Sequence, residues 1–248
     1  MRLLIALGTA LLFSTPVLAE PPKSFSQAKK LMADIHEEIG HLKTVYCGCE
    51  YSRTTASGGS VNKASCDLKT RKNEKRAARV EWEHVVPASW FGQTRACWQL
   101  KNEVHPSRCT KSDGKSLPGR DCCNKTNPSF RLAHNDPNNL FPSSGEINGD
   151  RSNHPYGNVP DESRVYGQCD FEMGGAGADK VAEPGDLVRG VLARAMLYMS
   201  QVYGADVKVP LSEVLKWHQD NPPAEWESAR AKLIAQRTGL KNEWILGR

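Results

Sequence analysis

The sequence predicts a loop-rich domain that is framed by helices and held together by disulfide bonds. Three observations lead to this expectation. Apolar residues recur at helical spacing near both ends of the chain, the middle is rich in Gly, Ser and Asn, and eight cysteines follow an apolar leader. No internal repeat or long linker interrupts the sequence, so we expect one domain over residues 20–248.

The leader, residues 1–19, is typical of a secretory signal peptide. A single positive charge at Arg2 precedes an apolar stretch that is too short to span a bilayer, and Val17-Leu18-Ala19 forms a small-residue cleavage site. Cleavage after Ala19 would release the product into the periplasm or the medium. No later segment is apolar enough for a membrane helix, so we expect a soluble monomer that does not contact a membrane.

The first helix is predicted over residues 24–43, where apolar side chains recur at helical spacing behind Ser24 or Ser26 as the N-cap. We expect His36 and His41 of this helix to lie on the surface.

Three more helices are predicted in the C-terminal third of the chain. Residues 186–203 are amphipathic, with Asp186 as a possible cap and with Leu187 and Val191 on the buried stripe. Further helices are expected over 211–218 and, after a Pro-Pro break, over 225–236.

An even number of cysteines behind a signal peptide predicts a disulfide framework. Eight cysteines allow 105 pairings, so the connectivity stays open. Adjacent cysteines would strain the peptide if they were bridged, so Cys122 and Cys123 should have separate partners, as should Cys47 and Cys49. The alternative is a structural zinc site, but no CxxC pair is present and export favours oxidation. The cysteines are Cys47, Cys49, Cys66, Cys97, Cys109, Cys122, Cys123 and Cys169.

The formal net charge is +5, and six of the 33 Lys and Arg residues lie close together in LKTRKNEKRAAR, residues 68–79. Such a run is often a solvated basic face. Because this run directly precedes a candidate active site, it can also form a surface that attracts phosphate groups.

The stretch EWEHVVPASWFG, residues 81–92, places an acid beside a histidine. Neighbouring side chains of an extended segment project to opposite sides, so Glu83 can face a cation while His84 faces elsewhere. Histidine is mostly neutral at slightly alkaline pH and can accept a proton from water. Pro87 restricts Val86 to extended conformations and stiffens the end of the strand. The other interpretation is a buried, structural Glu-His pair.

A second stretch, FPSSGEINGDRSN, residues 141–153, contains the capping-box pattern, with Ser143 and Glu146 three residues apart. A helix should therefore begin near Ser143, with Asn148 in its second turn and Arg151 and Ser152 on the same face. The amide oxygen of Asn148 suits a hard cation such as Mg²⁺, which typically takes only one or two protein oxygens. By itself, an asparagine here can equally be a cap or a surface residue.

The sequence RKNEKRAARVEWEHVVPASWFGQTRACWQ, followed by GEINGDRSN, resembles the endonuclease I family of periplasmic and secreted bacterial nucleases, which belongs to the ββα-metal or His-Me finger group. The similarity continues through YCGCEYS, RGVLARAMLYM and KWHQDNPPAEWESARAKLIAQ, and so covers most of the mature chain. It implies an α+β fold whose core is a β-hairpin followed by a helix, surrounded by further helices and holding one divalent cation. The expected cation is Mg²⁺, with Mn²⁺ or Ca²⁺ as alternatives.

The resemblance also implies an activity and the residues that carry it. We expect sequence-independent cleavage of DNA, and also of RNA, through contacts to the phosphate backbone, leaving 5′-phosphate ends. His84 matches the general base of the family, and Glu83 and Asn148 match its metal ligands.

An arginine that precedes a cysteine holds the phosphate in this family, and Arg120 in GRDCCN is the best match. The segment 102–119 is longer than the corresponding loop of the family, so Arg95 and Arg108 stay open as alternatives.

Two other functions fit parts of the sequence. One is a metal-dependent phosphoesterase for small nucleotides, which would not require the long basic run. The other is a non-catalytic, disulfide-bonded nucleic-acid-binding module, which would not require His84 beside Glu83.

Overall fold

Helices enclose three small antiparallel β-ribbons in the computed structural model, which describes residues 19–99, 109–160 and 163–247. The predicted signal peptide lies outside the described residues, apart from Ala19. Within those ranges, no helix combines the length and the apolar character that crossing a bilayer would require.

The first helix, α1 (Phe25–Glu38), begins where the sequence predicts. Ser24 is the N-cap, and its hydroxyl accepts a hydrogen bond from the backbone N–H of Gln27 at 3.2 Å. The helix ends five residues before the predicted end at residue 43, because Gly40 has a left-handed backbone with φ of 65°.

The prediction that His36 lies on the surface is wrong. Its ring is only 1% exposed, and its Nδ1 donates to the backbone carbonyl of His41 at 2.9 Å. The ring meets the edge of Trp82 at a centroid distance of 5.9 Å, so the helix turns His36 towards the core. His41 is half-buried and stacks on Trp226 at 4.0 Å.

The middle of the chain, expected to be irregular, contains several short elements between loops. They are β1 (Tyr51–Arg53), β2 (Gly59–Val61), α2 (Glu74–Ala77), β3 (Val80–His84), α3 (Ala88–Gly92), α4 (Ala96–Gln99), α5 (Gly119–Thr126), α6 (Pro128–His134), β4 (Leu140–Ser144), α7 (Gly145–Arg151), β5 (Phe171–Gly174) and β6 (Val181–Pro184). Short 3₁₀ turns cover Lys63–Cys66, Pro137–Asn139 and Gly177–Asp179. The strands pair antiparallel, β1 with β2, β3 with β4 and β5 with β6.

The C-terminal helices lie where the spacing of apolar residues predicts them. They are α8 (Asp186–Tyr203), α9 (Leu211–Asp220), α10 (Glu225–Thr238) and a short α11 (Glu243–Leu246). Asp186 is not the cap, because the N-cap is Gly185 and no side chain caps this end. Leu187 is not on the buried stripe, since it is 90% exposed where the first turn borders an open cavity of about 510 Å³.

The fold class is α+β, with the expected ββα core. Strand β3 pairs with β4 so that Glu83 lies opposite Phe141 and His84 lies opposite Leu140, and α7 follows β4 directly.

The predicted capping box is absent, and α7 begins at Gly145 rather than near Ser143. The N-cap, Ser144, makes no side-chain capping bond; its hydroxyl donates instead to the carbonyl of Ala77. The carboxylate of Glu146 accepts hydrogen bonds from three backbone N–H groups of the loop before α2, at 2.6–2.8 Å. A tertiary contact has therefore replaced the local one. The three donors are Arg71, Lys72 and Asn73.

All eight cysteines form disulfide bonds, which confirms the oxidised framework and excludes the zinc alternative. Cys122 and Cys123 have separate partners, as do Cys47 and Cys49. The bonds are Cys47–Cys169, Cys49–Cys66, Cys97–Cys123 and Cys109–Cys122.

Two helices anchor the turn that leads into β4. The buried carboxylate of Asp136 accepts hydrogen bonds from the hydroxyls of Tyr198 and Tyr203, each at 2.7 Å. Arg230 of α10 donates to the carbonyls of Pro137 and Leu140 at 2.7 and 2.8 Å. These bonds fix the strand that pairs with the Glu83-His84 segment.

Candidate active site

The four residues selected from the sequence, Glu83, His84, Arg120 and Asn148, line one cavity of about 420 Å³. Strand β3 supplies the first two, α5 supplies Arg120 and α7 supplies Asn148. Residues that are distant in the sequence thus converge, as the ββα arrangement predicts.

The two alternative arginines differ from Arg120. Arg95 does not line this cavity, because its guanidinium bonds to the carbonyl of Phe91 and to the side chains of Asn127 and Ser129. Arg108 lies outside the described residues. Among the described candidates, Arg120 is therefore the one that faces the site.

Glu83 is 2% exposed, and its two carboxylate oxygens have different roles. Oε1 accepts hydrogen bonds from the hydroxyl of Tyr46 at 2.6 Å and from the guanidinium of Arg151 at 2.9 Å. Both partners among the described residues bind Oε1, so Oε2 is left to the cavity. Burial raises the pKa of Glu83, while Arg151 and Tyr46 act in the opposite direction.

Arg151 is the residue that the sequence analysis placed on the right face of the helix without assigning it a role. Its guanidinium is completely buried and binds both the carboxylate of Glu83 and the backbone of the β3 end. It donates to the carbonyl of His84 at 2.8 Å and to that of Val85 at 2.6 Å. The ring of Tyr156 packs against it at 4.4 Å. One arginine therefore positions the Glu83-His84 pair relative to α7.

Asn148 is oriented by a carboxylate that the sequence analysis did not select. Its Nδ2 donates to Oε2 of Glu81 at 2.8 Å. An ionised carboxylate only accepts hydrogen bonds, so the NH₂ group of Asn148 must face Glu81 and its Oδ1 must face away. The alternation of side chains in β3 could have identified Glu81 as a site residue, because Glu81 and Glu83 lie on one face of the strand.

The basic run proves to be largely structural. Arg76 forms a two-point ion pair with Glu81, at 3.0 Å for each bond, and Arg79 binds the same carboxylate. Arg71 and Lys72 pair with Asp150 on α7 at 2.7 and 3.2 Å. These charges hold the run against β3 and α7. Burial acts to raise the pKa of Glu81, but its pairing with Arg76 and Arg79 lowers that pKa overall.

The two glycines of GEING allow this close approach. A Cβ at Gly145 would lie 2.6 Å from the carbonyl oxygen of Arg76 and 2.7 Å from Oε1 of Glu81. A Cβ at Gly149 would lie 2.3 Å from the guanidinium of Arg76. A side chain at either position would push the Arg76–Glu81 pair away from Asn148.

His84 is fixed in one tautomer. Its Nε2 lies 2.8 Å from the backbone carbonyl of His134, which only accepts hydrogen bonds, so Nε2 carries the proton and Nδ1 has the free lone pair. Burial lowers the pKa of His84 well below its ordinary value, and the neighbouring His134 adds to this effect. The ring is therefore neutral at pH 7 and can accept a proton at Nδ1.

Two cationic side chains, Lys29 of α1 and Arg120, also line the cavity. Arg120 is exposed at the start of α5, which is anchored by the disulfides of Cys122 and Cys123. Its charge contributes to the lowered pKa of His84. The cavity thus holds two cationic side chains and two carboxylates, those of Glu81 and Glu83, around the neutral His84 ring.

The donor atoms fit a hard divalent cation. Oε2 of Glu83 and Oδ1 of Asn148 are a carboxylate oxygen and an amide oxygen, both without another protein partner among the described residues. No group of three or more His, Cys, Asp or Glu is placed to hold a metal in the described part of the chain. Such a two-oxygen set suits Mg²⁺, which keeps several waters, and does not suit zinc.

Comparison with known proteins identifies the family of this chain. The sequence profile described as Endonuclease I matches residues 24–246. A periplasmic deoxyribonuclease of Aeromonas hydrophila is 34% identical over 247 residues, which cover 98% of this chain and 93% of the relative. An extracellular deoxyribonuclease of the same organism is 36% identical over 251 residues, covering 98% and 97%. Endonuclease-1 of Buchnera aphidicola subsp. Acyrthosiphon pisum (strain APS) is 33% identical over 224 residues, covering 90% and 80%.

A disulfide-bonded α+β fold whose hairpin and following helix place Glu83, His84 and Asn148 around one cavity is the arrangement of a ββα nuclease. The chain belongs to the Endonuclease I family. Membership confirms the resemblance inferred from the two central motifs, and it excludes a non-catalytic binding module.

Proposed function

We propose that the mature chain is a sequence-independent endonuclease that hydrolyses phosphodiester bonds of DNA, and also of RNA, to 5′-phosphate products. His84 is its general base, Glu83 and Asn148 are its metal ligands, and Arg120 holds the phosphate. The observation that supports this most strongly is the 2.8 Å hydrogen bond from Nε2 of His84 to the carbonyl of His134, because it leaves the Nδ1 lone pair of a cavity-lining histidine free to accept a proton.

His84 activates the nucleophile. Its Nδ1 accepts a proton from a water molecule as the water oxygen attacks phosphorus. The bond from phosphorus to the 3′ oxygen breaks, and this oxygen leaves as an alkoxide that takes a proton from solvent water. The products carry a 5′-phosphate and a 3′-hydroxyl.

The negative charge of the phosphate is stabilised by the cation and by Arg120. Glu83 Oε2 and Asn148 Oδ1 would hold the cation, which when bound stabilises the negative charge that develops on the phosphoryl group. Arg120 lies at the exposed rim and can donate two hydrogen bonds to the phosphate oxygens of substrate and product. Arg151 does not touch substrate; it keeps the acid and the base in place.

Substrate recognition rests on phosphate groups. The cations that line the cavity, Lys29 and Arg120, suit phosphate oxygens, and no base-reading motif is found in the sequence. Contacts of this kind do not distinguish sequences, and they allow both DNA and RNA.

The protein acts outside the cytoplasm. We propose that residues 1–19 are removed and that residues 20–248 form one nuclease domain, a monomer, in the periplasm or the medium. The names of the Aeromonas relatives and the disulfide framework support this location. An oxidising compartment is required for four disulfides to form and persist.

The test uses oxidised, purified residues 20–248 with plasmid DNA, structured RNA and nucleotide monoesters as separate substrates. We expect cleavage of the first two, abolished by a chelator and restored by Mg²⁺, with breaks spread over many sequences. His154→Ala is the matched control for His84→Ala, because this half-exposed histidine does not line the cavity. Hydrolysis of monoesters alone, or cutting confined to one short sequence, would contradict the proposal.

A further inference from the structure

The three rings of Phe25, His84 and His134 form a closed cluster beside the active-site cavity. Phe25 stacks on His84 at a centroid distance of 5.1 Å with an interplanar angle of 18°. His134 lies 4.9 Å from His84 and 5.0 Å from Phe25, with both pairs tilted. Phe25 therefore contacts both the base and the residue whose carbonyl holds the base.

A single hydrogen bond is not enough to orient the base. The contact from Nε2 to the carbonyl of His134 fixes one atom of the His84 ring, but the ring can still pivot about that atom. Such a rotation would change the direction of the Nδ1 lone pair. A flat, nearly parallel surface against the ring face opposes this rotation, and Phe25 provides that surface.

The position of Phe25 is itself determined. It is the first residue of α1, directly after the N-cap Ser24. The preceding segment is tied to the end of α6, where His134 lies, because Nδ2 of the C-cap residue Asn135 donates to the carbonyl of Pro22 at 3.4 Å. Oδ1 of Asn135 in turn lies 3.2 Å from Nδ1 of His134. The start of α1 and the loop under His84 thus form one connected unit.

Phe25 differs from an ordinary core residue. It is only partly buried and it lines the active-site cavity, whereas core residues of α1 such as Met32 and Ile35 are fully buried. Nζ of Lys29 lies over the Phe25 ring, 5.0 Å from the centroid. Its ring packs against the core cluster that contains Met32 and Ile35, as Leu31 does, but unlike Leu31 it also lines the cavity, where it stacks on His84.

We propose that Phe25 is a positioning residue that holds the His84 ring with Nδ1 directed into the cavity. This inference rests on the proposed function, since it assigns Phe25 a role through the general base. It also makes the start of α1 part of the catalytic centre.

A double-mutant cycle tests the inference. Phe25→Leu keeps an apolar side chain but removes the flat surface, and we expect kcat to fall by about 10- to 100-fold with KM and Mg²⁺ affinity unchanged. In the His84→Ala background there is no base left to orient, so the same substitution should change the residual rate by less than about twofold. Phe25→Tyr restores a flat ring and should recover kcat to within about threefold of the wild type.

Three controls separate positioning from packing. Leu31→Ala removes a partly buried side chain from the same helix without touching His84, and should leave kcat near the wild-type value. Phe25→Met repeats the ring-free comparison with a second side chain, and thermal unfolding measures fold integrity throughout.

Equal losses from Phe25→Leu in the two backgrounds would overturn the inference, as would a Phe25→Tyr protein that is as slow as Phe25→Leu. If His84→Ala itself retained wild-type activity, the proposed function would be wrong instead, and the two failures are thus distinguishable.

Discussion

Replacing Glu83 with alanine should destabilise the fold, in addition to removing a metal ligand. Glu83 is 2% exposed and Arg151 is fully buried, and their ion pair measures 2.9 Å. Removing one partner of a buried pair leaves an uncompensated charge and typically costs about 3–5 kcal/mol. For a domain of this size, such a loss lowers Tm by roughly 6–20 °C. Glu83→Gln keeps the shape and the acceptor for Tyr46, so its cost should be smaller.

Urea unfolding of the oxidised protein, followed by tryptophan fluorescence in the presence of a chelator, measures this effect. Glu37→Ala is the control, because Glu37 forms an exposed ion pair with Arg53 at 2.8 Å, and such pairs contribute little. Addition of Mg²⁺ at about 100 times its Kd should raise the unfolding free energy of the wild type by about 2.7 kcal/mol, and should raise that of Glu83→Ala by much less. If Glu83→Ala were as stable as Glu37→Ala, the assigned role of the buried pair would be refuted.

Three further outcomes are expected. Lys29→Ala should raise KM and should reduce the slope of log K for DNA binding against log salt concentration by about one. Lys30→Ala is the control, because Lys30 pairs with Asp34 and its loss should leave the slope unchanged. Titration of DNA binding against salt measures both slopes, and equal slopes for the two variants would contradict the role of Lys29. Burial lowers the pKa of His36 to about 3 in the folded protein, so as the pH falls below 6.5 the His36 ring is protonated in the unfolded state before it is protonated in the folded state. The unfolding free energy should therefore drop by up to about 5 kcal/mol between pH 6.5 and 3. His36→Gln should flatten this part of the curve of stability against pH, while His154→Gln should not. Reduction of the disulfides should abolish activity. By limiting the entropy of the unfolded chain, the bridge that spans 122 residues stabilises the fold by about 5 kcal/mol and the one that spans 13 residues by about 3 kcal/mol. Full activity of a protein with eight free thiols would contradict this.

The sequence predicts the helical frame well because the signals there are local. Ser24 caps α1 as expected, and the apolar stripes of the C-terminal helices define their lengths. The Glu83-His84 pair and Asn148 could also be selected, since their residue types carry the chemistry and two specific motifs contain them.

The features that the sequence did not predict depend on tertiary contacts. The Ser-x-x-Glu pattern predicts a capping box, but three backbone donors from a loop 73–75 residues away bind Glu146 instead. The basic run could not be recognised as structural until Glu81 and Asp150 were placed against it. Similarly, helical periodicity alone did not show that His36 would turn into the core, or that Phe25 would stack on His84.

The central claim is that Glu83 holds the cation while His84 activates water. The most direct measurement combines Mg²⁺ calorimetry and pH–rate profiles of single-turnover DNA cleavage for the wild type, Glu83→Gln and His84→Ala. The neutral form of His84 is the active one, and burial lowers its pKa, so the wild-type rate should rise with pH along a limb centred below the ordinary histidine pKa. His84→Ala should bind Mg²⁺ and DNA normally, lose ~10²–10⁴-fold in rate and lack this rise, whereas Glu83→Gln should lose Mg²⁺ affinity. A His84→Ala protein that cuts DNA at the wild-type rate, or that has lost its metal, would contradict the account.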